Sequence, residues 1–250
     1  SVKRCMRFIA VKFYSGIILT NDDVLSWYVK HFQAKRKFLF FPIIQKDQDF
    51  RLLLENALPV SKILEDTYHL EGRQVLLFVG RLIDIKNLFF LLDALALVVN
   101  RYPKVILLFV GDGDQRVALE RHAERNGLAD HVIFAGKKQG EDLYACYNVG
   151  QIFILPSYYE RFGAVVNEAL LAGCYTLCSV VAGAACLIEP QKNGDLFDPA
   201  SKTYLAEKLA QSLKDCEGLK QISLKANKMC YSYDQYITSF FNQLNSIIDK

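Results

Sequence analysis

From residue 74 onward the apolar positions fall into short continuous runs, and longer stretches with helical spacing separate them. The runs "QVLLFVG" (74–80), "KVILLFVGDG" (104–113), "HVIFAG" (131–136), "QIFILPS" (151–157) and "CYTLCSV" (174–180) read as buried strands, several ending in a glycine turn. Between them, "NLFFLLDALALVVNRY" (87–102) has helical length and is stopped by Pro103. The amphipathic "DQRVALERHAERNG" (114–127) ends at Gly127. "EDLYACYNV" (141–149) and "GAVVNEALLAG" (163–173) continue the alternation. Continuous apolar strands alternating with helices predict a parallel sheet covered on both faces. The expected fold class is therefore α/β, a doubly wound, Rossmann-like parallel sheet, over residues 72–231.

The first 71 residues pattern differently. "YSGIILTN" (14–21) and "KFLFFPII" (37–44) predict strands, and "DDVLSWYVKHFQ" (22–33) a helix between them. "RLLLENALPVSKILEDTYHLEG" (51–72) predicts one or two helices, broken near Pro59 and ending at Gly72. These elements are too few for a second domain with its own core. The last segment, 232–250, predicts an amphipathic helix whose stripe is Ile237, Phe240, Phe241, Leu244, Ile247 and Ile248.

Composition narrows the class. The chain has 250 residues, 52% hydrophobic and 23% charged, which is enough to bury a sizeable core. The net charge of +3 is too small to argue for nucleic acid, and the basic cluster Lys35 to Lys37 reads as solvated surface. The seven cysteines, Cys5, Cys146, Cys174, Cys178, Cys186, Cys216 and Cys230, are scattered through apolar segments without zinc-site spacing. They read as reduced thiols of a reducing compartment. No apolar stretch reaches the 18 or so residues of a membrane span. A chain that opens on Ser rather than Met reads as a piece of a longer protein or a processed product.

The candidate chemistry follows from topology. Ligands of open α/β sheets bind beyond the carboxyl ends of the strands, where strand order reverses. An order of 3-2-1-4-5-6 would place that reversal between the first strand, ending at Gly80, and the fourth, ending at Leu155. The segments that follow are "GRLIDIKN" and "PSYYERFGAVVNE". The first offers Arg81, a planar fork for phosphate oxygens, and Lys86, a mobile point charge. A cation at a helix start is opposed by the helix dipole, so Lys86 is expected to want an external anion. In the second segment Phe162, Gly163 and Ala164 lead into a helix whose first N–H groups would suit phosphate. Glu160 and Glu168 flank that point, and carboxylates accept hydrogen bonds from sugar hydroxyls. The loop "VGDGDQR" (110–116) lacks the third glycine of a dinucleotide fingerprint and reads as a tight turn bordering the ligand. His31, His69, His122 and His131 have no partners at metal or triad spacing, so no metal site is expected.

In order, "VGRLIDIKN", "VGDGDQR", "VIFAG", "ILPSYYERFGAVVNEALLAG" and "KNGDLF" resemble the retaining glycosyltransferases of family 4, which have the GT-B fold. The resemblance covers residues 75–197. It implies that the chain is the C-terminal, donor-binding half of such an enzyme, with a UDP- or GDP-linked sugar as donor and no cofactor or metal. It further implies that Arg81 and Lys86 hold the diphosphate, Glu160 contacts the hexose and Glu168 takes the ribose hydroxyls. The backbone at Gly80, Phe162, Gly163 and Ala164 would meet sugar and phosphate, and Ile133 and Lys137 would border the base. Catalytic roles would fall to Glu160, Arg81 and Lys86. Two departures stand out. Ala182, Gly183, Ala184, Ala185 and Cys186 replace a Gly-Gly-x-Pro-Glu stretch, and Asn87 replaces a common glycine.

On this reading residues 1–71 are the remnant of an N-terminal acceptor domain plus linker, 72–231 the nucleotide-sugar-binding domain, and 232–250 a crossover helix. The expected reaction moves a hexosyl group to a saccharide or lipid-linked acceptor in cell-surface polysaccharide or glycolipid synthesis. A missing acceptor domain or subunit would complete the enzyme, and the chain alone would be inactive. Cytoplasmic location is expected, with peripheral contact at the inner face of the membrane as a further expectation. The alternatives are a non-catalytic nucleotide-sugar-binding subunit that needs a separate acceptor-binding chain, and an epimerase on the same fold.

Overall fold

A computed structural model of the chain describes residues 16–20, 25–26, 29–30, 37–215 and 224–248. Two parallel strands, β1 (Gly16–Leu19) and β2 (Lys37–Phe40), precede two helices, α1 (Asp47–Asn56) and α2 (Leu58–Thr67). There follow β3 (Gln74–Val79), α3 (Leu88–Val98), β4 (Val105–Val110), α4 (Arg116–Arg125), β5 (Val132–Gly136), α5 (Glu141–Val149), β6 (Ile152–Leu155), α6 (Val165–Leu171), β7 (Tyr175–Ser179), β8 (Gly194–Phe197), α7 (Lys202–Asp215) and α8 (Tyr233–Ile248). Residues 25, 26, 29 and 30 of the expected helix 22–33 are helical; the rest of it, Cys5, Cys216, His31, Lys35 and Arg36 lie outside the described residues.

The strands β3 to β8 form one parallel sheet in the order β5-β4-β3-β6-β7-β8. Counted from β3, this is the order 3-2-1-4-5-6 supposed above, with the reversal between β3 and β6; its sixth strand, β8, is not among the runs read as strands in the sequence. Period-2 alternation divides the strand residues between two faces. Leu76, Phe78, Leu107, Phe109, Ile152 and Ile154 share one buried cluster with Leu91 and Leu95 of α3 and Leu205 and Leu209 of α7. Phe153, on the opposite face, lies 6.4 Å ring to ring from Tyr147 of α5. Every residue of β4 is buried, as a central parallel strand requires.

The chain divides into two compact units, the described residues up to Lys46 with those from Tyr231 in one, and Asp47–Cys230 in the other. Residues 47–71, grouped with the N-terminal segment in the sequence reading, therefore belong to the sheet unit. The reason is packing. Phe50 of α1 makes edge contacts with Tyr144 and Tyr147. The buried Asn148 amide donates to the Leu54 carbonyl at 2.8 Å and to Ser61 Oγ at 3.0 Å. Pro59 sits in the first turn of α2, where its missing N–H is harmless.

In the smaller unit, Phe41 packs edge-on against Tyr233 and Phe240 of α8. Among the described side chains of α8, Tyr233, Tyr236, Ile237, Phe240, Gln243 and Leu244 are half-buried; those of Ile247 and Ile248, expected on the stripe, lie outside the description. Phe241, expected on the apolar stripe, is 51% exposed. Among the described residues no helix is long and apolar enough to cross a membrane.

Candidate functional site

The reversal point is built from two loops. After β3 the backbone reaches Gly80, whose N–H donates to the Val110 carbonyl at 2.9 Å. The neighbouring loop crosses very close. A Cβ on Gly111 would lie 1.9 Å from the Gly80 carbonyl oxygen, and one on Gly113 would lie 2.3 Å from that of Leu82. The glycines of "VGDGDQR" are thus there for backbone contact. Leu82 is fully buried and bonded on both sides, its N–H to Asp112 O and its carbonyl to the Gln115 N–H. That anchors the loop carrying Arg81 and Lys86.

The loop closes with a 3-10 turn over Asp84–Lys86 and then Asn87, which has φ +57. Among residues with a side chain, asparagine tolerates this left-handed conformation best, which accounts for its standing in for glycine. Its amide also donates to the Pro199 carbonyl at 3.0 Å.

After β6, the second loop is stitched to the first. The Tyr158 N–H donates to the Ile85 carbonyl at 3.2 Å, and the Tyr158 hydroxyl donates to Asp84. That bond raises the Tyr158 phenol above its ordinary pKa. Lys86 and Glu160 form an ion pair across the gap, with side chains only 14% and 17% exposed. Lys86 was expected to need an external anion; in this structure Glu160 meets its charge. Arg81 is exposed, and its guanidinium has no bond or ion pair among the described residues.

Gly163 lets the chain turn behind Glu160. Its φ is +92, and a Cβ there would lie 2.8 Å from Leu155 Cδ2 and 3.2 Å from Glu160 Cγ. The departing stretch 182–186 forms the bed of this loop. Ala182 bridges to Glu160, and the Ala184 N–H donates to the Phe162 carbonyl at 2.7 Å. Ala182 and Ala184 are buried, so small side chains are what this contact needs. Beneath, the buried Cys178 thiol is pushed up by desolvation, with smaller contributions from Cys186 and Glu160.

The helix α6 has seven residues, shorter than the expected run 163–173. The N–H groups of Gly163, Ala164 and Val165 donate to no backbone carbonyl among the described residues. Glu168 lies in its first turn, half-buried, and accepts a hydrogen bond from the Tyr147 hydroxyl at 2.7 Å.

The structure thus gathers Gly80, Arg81, Lys86, Glu160, Phe162, Gly163 and Ala164 on the two loops of the reversal point. The Phe162 side chain is buried, and its carbonyl is taken by the Ala184 N–H. Lys137 is exposed just past the end of β5, whereas Ile133 pairs with Leu108 within that strand. No bond joins Glu168 to Glu160; it is held from α5 instead. Sequence reasoning missed Tyr147, the Tyr158–Asp84 bond and Arg116, which reaches the Phe134 carbonyl at 3.4 Å beside Gly136. A tyrosine within an apolar helix gave a signal for Tyr147; the other two had none. Among the described residues no group of three His, Cys, Asp or Glu could hold a metal ion.

The chain resembles known proteins in both sequence and structure. The chain is 30% identical over 161 residues to an uncharacterised glycosyltransferase of Methanocaldococcus jannaschii, a match covering 64% of this chain and 41% of that one. It is 27% identical over 206 residues to the mannosylfructose-phosphate synthase of Agrobacterium fabrum, covering 79% and 45%. In structure it resembles Anabaena HepE in complex with UDP, with a TM-score of 0.77 at 20% identity over 96% of this chain and 65% of that one. The chain thus spans less than half the length of each of these two curated relatives. A family model described as "Glycosyl transferases group 1" matches residues 61–229, more than half of the chain, and the chain belongs to that family.

Proposed function

We propose that this chain is the donor-binding part of a retaining glycosyltransferase that moves a hexosyl group from a UDP- or GDP-linked sugar to a saccharide or lipid-linked acceptor. Cell-surface polysaccharide or glycolipid synthesis is the setting that suits such acceptors. The observation that carries the reading is the meeting of Lys86 and Glu160 across the β3/β6 reversal point, from loops far apart in sequence. The presence of UDP in the structure of Anabaena HepE supports it.

The chemistry would run as follows. The diphosphate enters between the loops, and its oxygens take the Lys86 ammonium from Glu160 while Arg81 adds its free fork. The Glu160 carboxylate is then released to accept hydrogen bonds from the hexose. As the glycosidic bond breaks, negative charge grows on the departing nucleoside diphosphate. Two cations already in place stabilise it without reorganisation. Attack by the acceptor from the face the leaving group vacates preserves the anomeric configuration. The free thiols and the donor chemistry fit a cytoplasmic protein working at the inner face of a membrane.

Titration of the chain with UDP and with GDP, followed by thermal stability, tests the reading. Ligand at a hundred times its Kd stabilises by about 2.7 kcal/mol. One of the two should bind, and Lys86→Ala should weaken it far more than Lys138→Ala. Equal effects of the two substitutions, or binding of neither nucleotide, would overturn the proposal.

A further inference from the structure

Tyr147 is the largest fully buried side chain among the described residues, yet its hydroxyl is spent on one atom of the candidate site, a carboxylate oxygen of Glu168 at 2.7 Å. The ring has little freedom to move. It lies 6.3 Å from Phe50 and 6.4 Å from Phe153, and its own carbonyl accepts from the Lys225 ammonium at 3.2 Å. Burial, reinforced by the Glu168 charge, holds the phenol well above its ordinary pKa, so it remains a donor throughout the neutral range.

A carboxylate in an apolar helix that served structure alone would be expected to face a cation. Among the described residues Glu168 has no ion pair, and its one side-chain partner is this neutral hydroxyl. The difference matters chemically. A lysine or arginine would neutralise the carboxylate and occupy several of its lone pairs. A phenol fixes one oxygen and leaves the charge and the remaining acceptor positions intact. Three rotatable bonds of Glu168 are thereby locked on a rigid aromatic base, as a group that must meet a ligand in a fixed pose requires.

We propose that Tyr147 is a positioning residue: it holds the Glu168 carboxylate in the pose that accepts the ribose hydroxyls of the donor, and so sets the preference for a ribonucleotide over its 2′-deoxy counterpart. This inference rests on the donor-site reading above. Tyr147 itself touches no ligand.

The test compares the full chain with Y147F, measuring by calorimetry the Kd of whichever of UDP and GDP binds, and of its 2′-deoxy form. Thermal stability is recorded in parallel. The wild type should favour the ribonucleotide, and Y147F should reduce that ratio by roughly tenfold, the worth of one hydrogen bond to a charged group. A merely structural tyrosine would lower stability and both affinities together while leaving the ratio unchanged, and that result overturns the proposal. F50L serves if Y147F fails to fold. It loosens the packing that fixes the Tyr147 ring and leaves Glu168 intact, so loss of the ratio supports positioning and its retention overturns it. A wild type that binds a nucleotide without ribose preference removes the proposal but leaves the donor site standing. A wild type that binds neither nucleotide removes both.

Discussion

Replacing Glu160 by Gln should make the site bind nucleoside diphosphate more tightly while abolishing transfer in the complete enzyme. The substitution keeps shape and volume and removes one charge. In the unliganded protein that charge holds the Lys86 ammonium, and both side chains are more than four-fifths buried. Bare Coulomb attraction between two such groups is about 4 kcal/mol at 4 Å and an effective dielectric constant of 20. Desolvation offsets much of that, and a hydrogen bond to a charged group is worth about 1.5–3 kcal/mol net. A diphosphate arriving at the wild type must displace this pair; in E160Q most of that opposition is gone. At 1.4 kcal/mol per tenfold change, the Kd for the bare nucleoside diphosphate should fall about tenfold. The extra affinity that the hexose gives to the intact donor should shrink in the same variant, because its acceptor has become an amide. Calorimetric titration of the wild type and E160Q with the diphosphate and with the nucleotide sugar measures both effects. The folded state should also be weakened, since a largely buried ammonium is left facing a neutral partner. Unchanged or weaker diphosphate binding in E160Q would refute the idea that Glu160 occupies the ammonium until the ligand arrives.

Three further outcomes are expected. Gly111→Ala should destabilise by about 3 kcal/mol or more in urea titration, because its Cβ would meet the Gly80 carbonyl oxygen at 1.9 Å; a loss below about 1 kcal/mol would contradict the close crossing. Asn87→Val should cost about 2 kcal/mol in the same assay, and Asn87→Gly clearly less, since a β-branched residue resists the left-handed φ of +57. Stability should be insensitive to the buried thiols below about pH 9 and fall above it. Burial raises Cys146 to about 12 and also raises Cys174 and Cys178, so the unfolded chain sheds these protons first. The loss should run from about pH 9 upward through the folded values, and a urea midpoint that stays flat from about pH 8 to 10.5 would count against it.

Most of the sheet was legible in the sequence because β3, β4, β6 and β7 are almost wholly buried and stand out as unbroken apolar runs, and the half-buried β5 keeps the same pattern. The order β5-β4-β3-β6-β7-β8 was a supposition about such sheets rather than something the runs dictated, and β8, the short "GDLF" with Asp195 in it, did not stand out as a strand. The helix α7 was overlooked although Leu205, Leu209 and Leu213 repeat every fourth position and are fully buried; its charged outer face masked the stripe. On α8, counting only aliphatics and phenylalanine rotated the expected face onto Phe241. The half-buried Tyr233 and Tyr236 show where it lies. Helices α1 and α2 could not be assigned to a unit from their own pattern, since amphipathicity says that a face is buried and not against what.

At the site, the residue types and the loops that carry them were readable, but the pairing was not. Lys86 was read at the start of a helix; it ends a 3-10 turn, with Asn87 between it and the helix, and its partner is Glu160. Two charges on loops of different strands carry no local periodicity that could announce their contact. The same holds for Tyr147 and Glu168, joined across two helices.

The decisive experiment is the structure of the chain crystallised with the nucleoside diphosphate that binds it. Diphosphate oxygens should lie within hydrogen-bond reach of Lys86 Nζ and the Arg81 guanidinium, with the Lys86–Glu160 pair opened and Glu168 at the ribose. A nucleotide found elsewhere on the protein, with Lys86 still held by Glu160, would contradict the donor-site reading.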